Sequence, residues 1–328
     1  MQLIRSGTNI NFVGQSRVFG YVSIGLVVLS AVLMLTSEWN LGIDFAGGTV
    51  IQIQVPEEAG PVYEGTVRQA MDEIGYPNAV IVRFGPAEER GFRISIRASQ
   101  EENRDLSVQI LEGLSNTLGV KVVEQRIESI GPRVGQELRR AGFGALALSW
   151  LLILVYIWFR FDLRYAPGAV AALIHDVMIT AGVFVALGME FNLQVLAALL
   201  VVIGYSLNDT IVIYDRIREN LELRGTTHLE DVVNQSVNQT LSRTLLTSLT
   251  TLIVVLSLLL FGGPVLQDFA LALMIGVSVG TYSTIYVASA LLILLERRFG
   301  STPIAQPQKK QKPPRQPKKA KKAKKTRA

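Results

Sequence analysis

Four ionisable residues stand where charge is expensive: Asp176, Asp209, Arg243 and Asp268 lie inside or at the ends of long apolar runs. An Asp or Arg at the centre of a membrane helix costs at least ~2.5–3.5 kcal/mol, so such groups face a bundle interior and are paired. Burial favours the neutral carboxyl and a nearby guanidinium the ionised one. Asp209 opposite Arg243 is therefore suited to alternate between a protonated and a paired form as helices move, which is the chemistry of a proton carrier. The same two residues also suit a static ion pair that fixes helix register, and residue types alone leave both open. His175, beside Asp176, is either a proton relay or a neutral side chain bonded to a neighbouring helix.

Hydroxyls accompany these groups. Thr244, Thr247, Ser248, Thr250 and Thr251 follow Arg243, and Ser278, Thr281, Ser283 and Thr284 follow Asp268. They are enough to line a water path, although membrane helices also tolerate Ser and Thr bonded to their own backbone, and Gly276 with Gly280 is a spacing used for close helix packing. Other chemistries lack their motifs. The chain has no cysteine, hence no thiolate nucleophile or thiolate metal site. It has no Gly-x-x-x-x-Gly-Lys-Ser/Thr loop, no His-Glu-x-x-His and no Gly-x-Ser-x-Gly. Two membrane carboxylates would serve an intramembrane aspartyl protease, but Gly204-Tyr205-Ser206-Leu207-Asn208 precedes Asp209 in place of the Gly-x-Gly context of such enzymes. No cofactor or metal is expected, and no covalent catalysis.

The elements that must position these residues are membrane helices. Of 328 residues 49% are hydrophobic and 18% charged, too apolar for a soluble globule of this size. Six runs approach the ~20 residues that cross ~30 Å of hydrocarbon: 18–37, 141–159, 166–188, 193–214, 244–261 and 269–295. The first is longer than a signal-peptide core of ~7–15 residues and is followed by Glu38 and Trp39, so it reads as a retained anchor. Arg160 and Arg164, then Arg216, Arg218, Arg224 and Arg243, and the Lys-rich tail mark the cytoplasmic side, while 189–192 and 262–267 carry no Lys or Arg. Both termini are then inside: 1–17 is a cytoplasmic N-terminus, 215–243 a cytoplasmic loop, and 38–140 lies outside.

That outer segment alternates strand and helix periodicity in the order βαββαβ, with strands over 48–55, 79–84, 92–96 and 121–130 and helices over 62–74 and 106–118. This is a ferredoxin-like split unit, large enough to bury its own core. It serves either as a spacer or as a surface for substrate. The fold class is thus an α-helical polytopic membrane protein with one α/β exoplasmic domain. The net charge of +5 belongs to the tail: 309–327 holds eleven basic and no acidic residues. With almost nothing to bury, 301–328 is expected to be disordered, and to act as a solvated anchor or to touch anionic lipids or ribosomal RNA.

Two segments resemble one family. Leu41-Gly42-Ile43-Asp44-Phe45-Ala46-Gly47-Gly48-Thr49 is similar to the LGIDFxGG signature of the SecD/SecF protein-export proteins. The run from Asn208, Asp209 and Thr210 through Tyr214, Asp215 and Arg216 to Glu219 and Asn220 is similar to the SecF form of the NDT...DRIRE segment. Ser242-Arg243-Thr244 and Gly280-Thr281-Tyr282-Ser283 also fit, and the resemblance covers residues 10–297. A single outer domain of this size resembles SecF more than SecD.

The resemblance implies what spacing did not show. It implies a SecD partner, a twelve-span assembly akin to resistance-nodulation-division exporters, and the bacterial plasma membrane. It implies association with the SecY-SecE-SecG translocon and use of the proton-motive force, without ATP, to draw unfolded secretory polypeptide outward. Asp209 and Arg243 match positions assigned to proton transport and Asp268 a further acidic position; Asp176 rests on burial. On the physical reading of the residues, a Gly47-Gly48 hinge and the Gly131-Pro132 segment are expected to connect the outer domain to the bundle. A small-molecule antiporter of the same superfamily is disfavoured by the short outer domain and the six spans.

Overall fold

The computed structural model describes residues 8–60, 62–84, 90–97, 106–161, 164–224 and 228–299. The basic tail and Arg5 lie outside the described residues. Among the described residues six helices are long and apolar enough to cross a membrane: Phe12–Thr36, Pro132–Arg160, Ala166–Ala186, Leu193–Leu223, Leu229–Phe261 and Val265–Arg298. Between the first and second stands a small antiparallel sheet with two helices.

The chain runs α1 (Phe12–Thr36), a one-turn α2 (Ile43–Ala46), β1 (Gly48–Gln54), α3 (Glu64–Glu73), β2 (Val80–Phe84), β3 (Gly91–Arg97), α4 (Leu106–Leu118) and β4 (Val123–Ile130). Then come α5 (Pro132–Arg160), α6 (Ala166–Ala186), α7 (Leu193–Arg224), α8 (Leu229–Phe261), α9 (Gly263–Ser283), a π-helical turn (Thr284–Ala288) and α10 (Ser289–Phe299). The sheet order β2-β3-β1-β4, antiparallel throughout, is that of the ferredoxin-like unit. Ile51 faces Ile94 on one side and Ile127 on the other. Because side chains alternate, Ile51, Ile53, Phe92 and Ile94 pack on Val67, Met71, Ile110 and Leu114 of the helices, while Arg93 falls on the opposite face.

In the bundle, α6, α7 and α9 are the inner helices and α1, α5 and α8 turn most of their surface outward. Its apolar interior is two clusters. The one nearer the α/β domain holds Leu173, Val177, Phe184, Val195, Val202 and Leu273. The far one holds Ala169, Ala172, Ile213, Ile217, Val237 and Ile285. On α7 and α9 the sequence passes from one cluster to the other through polar residues, 206–210 and 280–284, and on α6 the polar pair 175–176 follows just after the change from Ala172 to Leu173.

The segment expected as a loop over 215–243 is helical up to Arg224 and again from Leu229. The reason is amphipathicity: Ile217 and Leu221 on α7, with Val232, Val233 and Val237 on α8, bury a stripe in the far cluster while their charges stay outside. Asn220 donates to Ser236 Oγ (2.8 Å) and Gln239 Oε1 (2.9 Å), and Arg216 to Gln239 and Glu219, tying the two extensions together. Likewise α5 begins at Pro132, a residue preset for the first helical turn, well before its apolar run.

Candidate functional site

The polar layer between the two apolar clusters is built around Asp176, which is 1% exposed. Its Oδ2 accepts hydrogen bonds from Ser206 Oγ on α7 (2.6 Å) and Ser283 Oγ on α9 (2.9 Å). Its Oδ1 meets His175 Nδ1 at 3.0 Å. One carboxylate thus gathers three inner helices, which fits the cost of an unpaired charge in hydrocarbon. Close approach is allowed by small residues. A Cβ on Gly280 would stand 3.1 Å from Ser206 Cβ and 3.4 Å from Asp176 Oδ2, and one on Gly276 would stand 2.3 Å from a Val202 methyl. The small-residue spacing on α9 is therefore the packing device that lets hydroxyls of α7 and α9 reach α6.

The layer continues along α7. Thr210 and Thr284 hydroxyls meet at 3.2 Å, and Thr284 lies in the π-helical turn, a local widening of the backbone common at functional sites. Asp209 is 2% exposed, and its Oδ2 has no hydrogen-bond partner. Arg243, on α8, is the cation that acts on it electrostatically, yet the two close no ion pair, and the guanidinium turns outward. Asn208 is exposed on the same outward face. Ser248 of α8 bonds Thr281 of α9 (2.7 Å), so these two predicted hydroxyls, like Ser283 and Thr284, join helices. Thr247, Thr250 and Ser278 bond carbonyls of their own helices instead.

The other motif residues form a clasp between the α/β domain and the bundle. Asp44 Oδ2 accepts from Leu193 N (2.9 Å), placing a negative charge on the N-terminus of α7, where the helix dipole favours it. Asn192 caps the same helix through Val195 N (3.0 Å) and donates to Asp268 Oδ2 (3.3 Å). Leu41 bridges to Phe191 of the short α6–α7 turn, and Gly42 N donates to Phe191 O (3.0 Å). A Cβ on Gly42 would come within 2.7 Å of Glu190. Gly47, at φ +76°, leaves room for Pro132 Cα, which a Cβ would approach to 2.7 Å. Gly48 follows at φ +149° as the first residue of β1. Gly47, the first of the pair expected as a hinge, is thus a close-packed seat for the start of α5.

Above the clasp, Arg93 of β3 binds Glu190 of the α6–α7 turn (3.0 Å), with Asp268, Asp44 and Glu128 as neighbouring charges. Burial is the main reason that Glu190 is pushed above its usual range, with Arg93 opposing. Sequence reasoning had not picked out Arg93 or Glu190. The one available signal was that Glu190 is the only charge in its short turn. Asp215 contacts Arg160 (3.6 Å) and Arg216 contacts Glu219, both at partly exposed positions far from the polar layer. The site residues therefore sort into a buried layer, Asp176 with Asp209 and Thr210; an outward cation, Arg243; and a clasp with Asp268 at its edge. No cluster suited to a metal ion occurs among the described residues.

The family "protein export membrane protein SecD/SecF, C-terminal" matches residues 110–298, and the SecD/SecF GG motif matches residues 40–55. The protein translocase subunit SecF of Magnetococcus marinus is 45% identical over 298 residues, covering 90% of this chain and 95% of that protein. The SecF of Escherichia coli O157:H7 is 43% identical over 274 residues, 83% of each chain. Among solved structures, Thermus thermophilus SecDF, described as a translocon-associated membrane protein, superposes with a TM-score of 0.80 at 39% identity over 91% of this chain. A super-membrane-facing form of SecDF superposes with a TM-score of 0.68. This chain spans 40% of the SecDF chain's length.

Proposed function

The chain belongs to the SecD/SecF protein-export family, with SecF proteins as its full-length relatives, and from that premise we propose that it uses a proton gradient to promote late, ATP-independent steps of export. It is a multi-pass membrane transport component, not an enzyme that turns over a covalent bond. Its partners are SecD, the SecY-SecE-SecG translocon and unfolded secretory polypeptide. Its membrane is the bacterial plasma membrane, with the tail-bearing face cytoplasmic and the α/β domain outside.

The observation that carries the proton reading is the buried carboxylate layer of Asp176 and Asp209 between two apolar clusters. A charge crossing the membrane field gains ~2.3 kcal/mol per 100 mV, enough for a few protons to bias a rearrangement separated by a few kcal/mol. Asp209, within the field of an outward Arg243 but not bonded to it, is poised to exchange a proton and so change its attraction to α8. Movement of α7 is passed outward through the clasp, because Asp44 and Asn192 hold its N-terminus and Gly42 and Gly47 hold the domain.

The test is proton-motive-force-dependent release of a secretory protein from vesicles, comparing wild type with Asp209→Asn and Arg243→Ala at equal abundance of the complex with SecD. Loss of the stimulation in both variants is expected. Normal stimulation in both would make the pair structural and the chain a scaffold.

A further inference from the structure

We propose that a cleft bounded by α1, α6 and α10 is an aqueous proton passage from the tail-bearing side, and that His175 passes protons between it and Asp176. The inference rests on the proton-coupled reading above and adds to it a route separate from Asp209 and Arg243, neither of which lines the cleft.

The cleft has a volume of about 1080 Å³. Its mouth is charged, with Arg17, Asp231 and the ion pair of Arg297 with Glu230. Its lining follows α1 from Asn11 to Val28, a depth of roughly 25 Å at 1.5 Å per residue, and it reaches His175, halfway along α6. Thus it joins the face of the bundle opposite the α/β domain to the polar layer.

Its inner end is polar in a way that the walls are not. His175 lines the cleft and is 5% exposed, its Nδ1 is taken by Asp176, and its Nε2 is buried with no hydrogen-bond partner. Ser23 also lines the cleft, although it lies in an otherwise apolar stretch of α1. Its hydroxyl meets Tyr282 Oη at 2.8 Å, while Tyr282 donates to Phe19 O, and the Tyr282 ring stacks on His175 at 6.1 Å. Buried polar atoms are found with partners, and a cleft this large accommodates water where several polar groups converge. A lipid acyl chain fits the walls but would leave Nε2 unsatisfied.

The charged or titratable groups around the ring are Asp176 on α6, Tyr282 on α9, Tyr286 on the π-helical turn, and Arg17, Glu230, Asp231 and Arg297 at the mouth. With both nitrogens engaged, transfer balances. Nε2 takes a proton from cleft water as Nδ1 gives one to the Asp176 carboxylate, or the reverse, and the ring ends as the other neutral tautomer. Rotation of the ring or the return transfer resets it.

The test uses the full chain in complex with SecD, in vesicles with a defined tail-facing side. Because the chain has no cysteine, single substitutions Gly20→Cys and Ser23→Cys report access to a charged, water-soluble thiosulfonate, against Leu29→Cys on the outward face of α1. Labelling from the tail side at least tenfold faster at positions 20 and 23 than at 29 is expected. In the same vesicles His175→Asn keeps a donor near the Nδ1 position but lacks Nε2. It should assemble normally, lower proton flux at least tenfold and remove the dependence of flux on tail-side pH, whereas a structural role would leave that pH profile in place. His175→Gln serves as a second variant if Asn does not assemble. Equal labelling at all three positions, or retention of a lipid with no labelling at position 23, overturns the passage. Wild-type flux in His175→Asn overturns the relay. Full flux in Asp209→Asn with a labelled cleft would instead overturn the Asp209 reading and leave the passage standing.

Discussion

Arg93, on an inner strand of the α/β domain, holds the carboxylate of Glu190 at 3.0 Å across the junction with the helix bundle. It is one cation set among several carboxylates, since Asp44, Asp268 and Glu128 all act on Glu190. Burial is the largest influence and raises the Glu190 pKa above the usual 4.5, so the folded junction binds the proton more tightly than the unfolded chain does. The stability this contributes is complete below the unfolded value and is lost as pH rises through the folded one. Glu190→Gln cannot ionise. Its melting temperature relative to wild type should therefore climb as pH rises from below the usual glutamate range through the raised one. Scanning calorimetry of the detergent-solubilised protein checks this, and a fall over the same interval would mean that the ion pair outweighs burial.

The seat beneath this junction makes a sharper claim. Gly47→Ala adds a left-handed strain and drives Cβ to 2.7 Å from the backbone of Pro132. Gly60→Ala meets the same kind of strain at φ +71° but has nothing within 4 Å. We expect Gly60→Ala to cost about 1 kcal/mol and Gly47→Ala about 2–3 kcal/mol more, because backbone cannot give way as a side chain can. Equal melting temperatures for the two variants would show that the contact is slack.

Asp176 separates charge from shape. Asp176→Asn retains an acceptor for Ser206 and Ser283, so the chain should fold and assemble with SecD while proton-dependent export falls at least tenfold. Asp176→Leu leaves both hydroxyls without their acceptor in the apolar interior and should lower stability by about 2–4 kcal/mol in detergent. If export survives in the Asn variant, the carboxylate is a structural tie.

How much of this was legible follows from what sequence periodicity encodes. The spans were readable because each is an apolar run long enough to cross a bilayer, the βαββαβ order because burial on one face repeats at 3.6 or 2 residues, and Asp176 and Asp209 because charge is rare in apolar runs. The amphipathic extensions of α7 and α8 were hidden by their charged outer faces, which read as loop. Ser206 was hidden because a serine in a membrane helix says nothing about which neighbour it meets; only the crossing of α6, α7 and α9 at Gly280 brings it to Asp176. The π-helical turn at Thr284–Ala288 has no residue signature at all. Arg93 and Glu190 lie 97 positions apart, and the isolation of Glu190 in its turn does not say which strand residue it meets.

The outward face of α7 carries the last expectation. Val201, Gly204 and Asn208 follow at helical spacing and are exposed, Gly204 has no neighbour within 4 Å, and the next residue after Asn208 is Asp209. A small residue between two exposed ones on a membrane helix lets another helix come close, whereas lipid needs no such gap. If SecD packs there, Gly204→Leu should leave the fold of this chain intact, since nothing within it is displaced, yet reduce co-purification of SecD several-fold. Gly276→Leu, which would drive into Val202 inside the bundle, should instead destabilise the chain itself by about 1–3 kcal/mol or more. Pull-down yield and melting temperature, measured on both variants, separate the two effects. Full recovery of SecD with Gly204→Leu would move the partner to another face and leave Asp209 addressed from lipid or water.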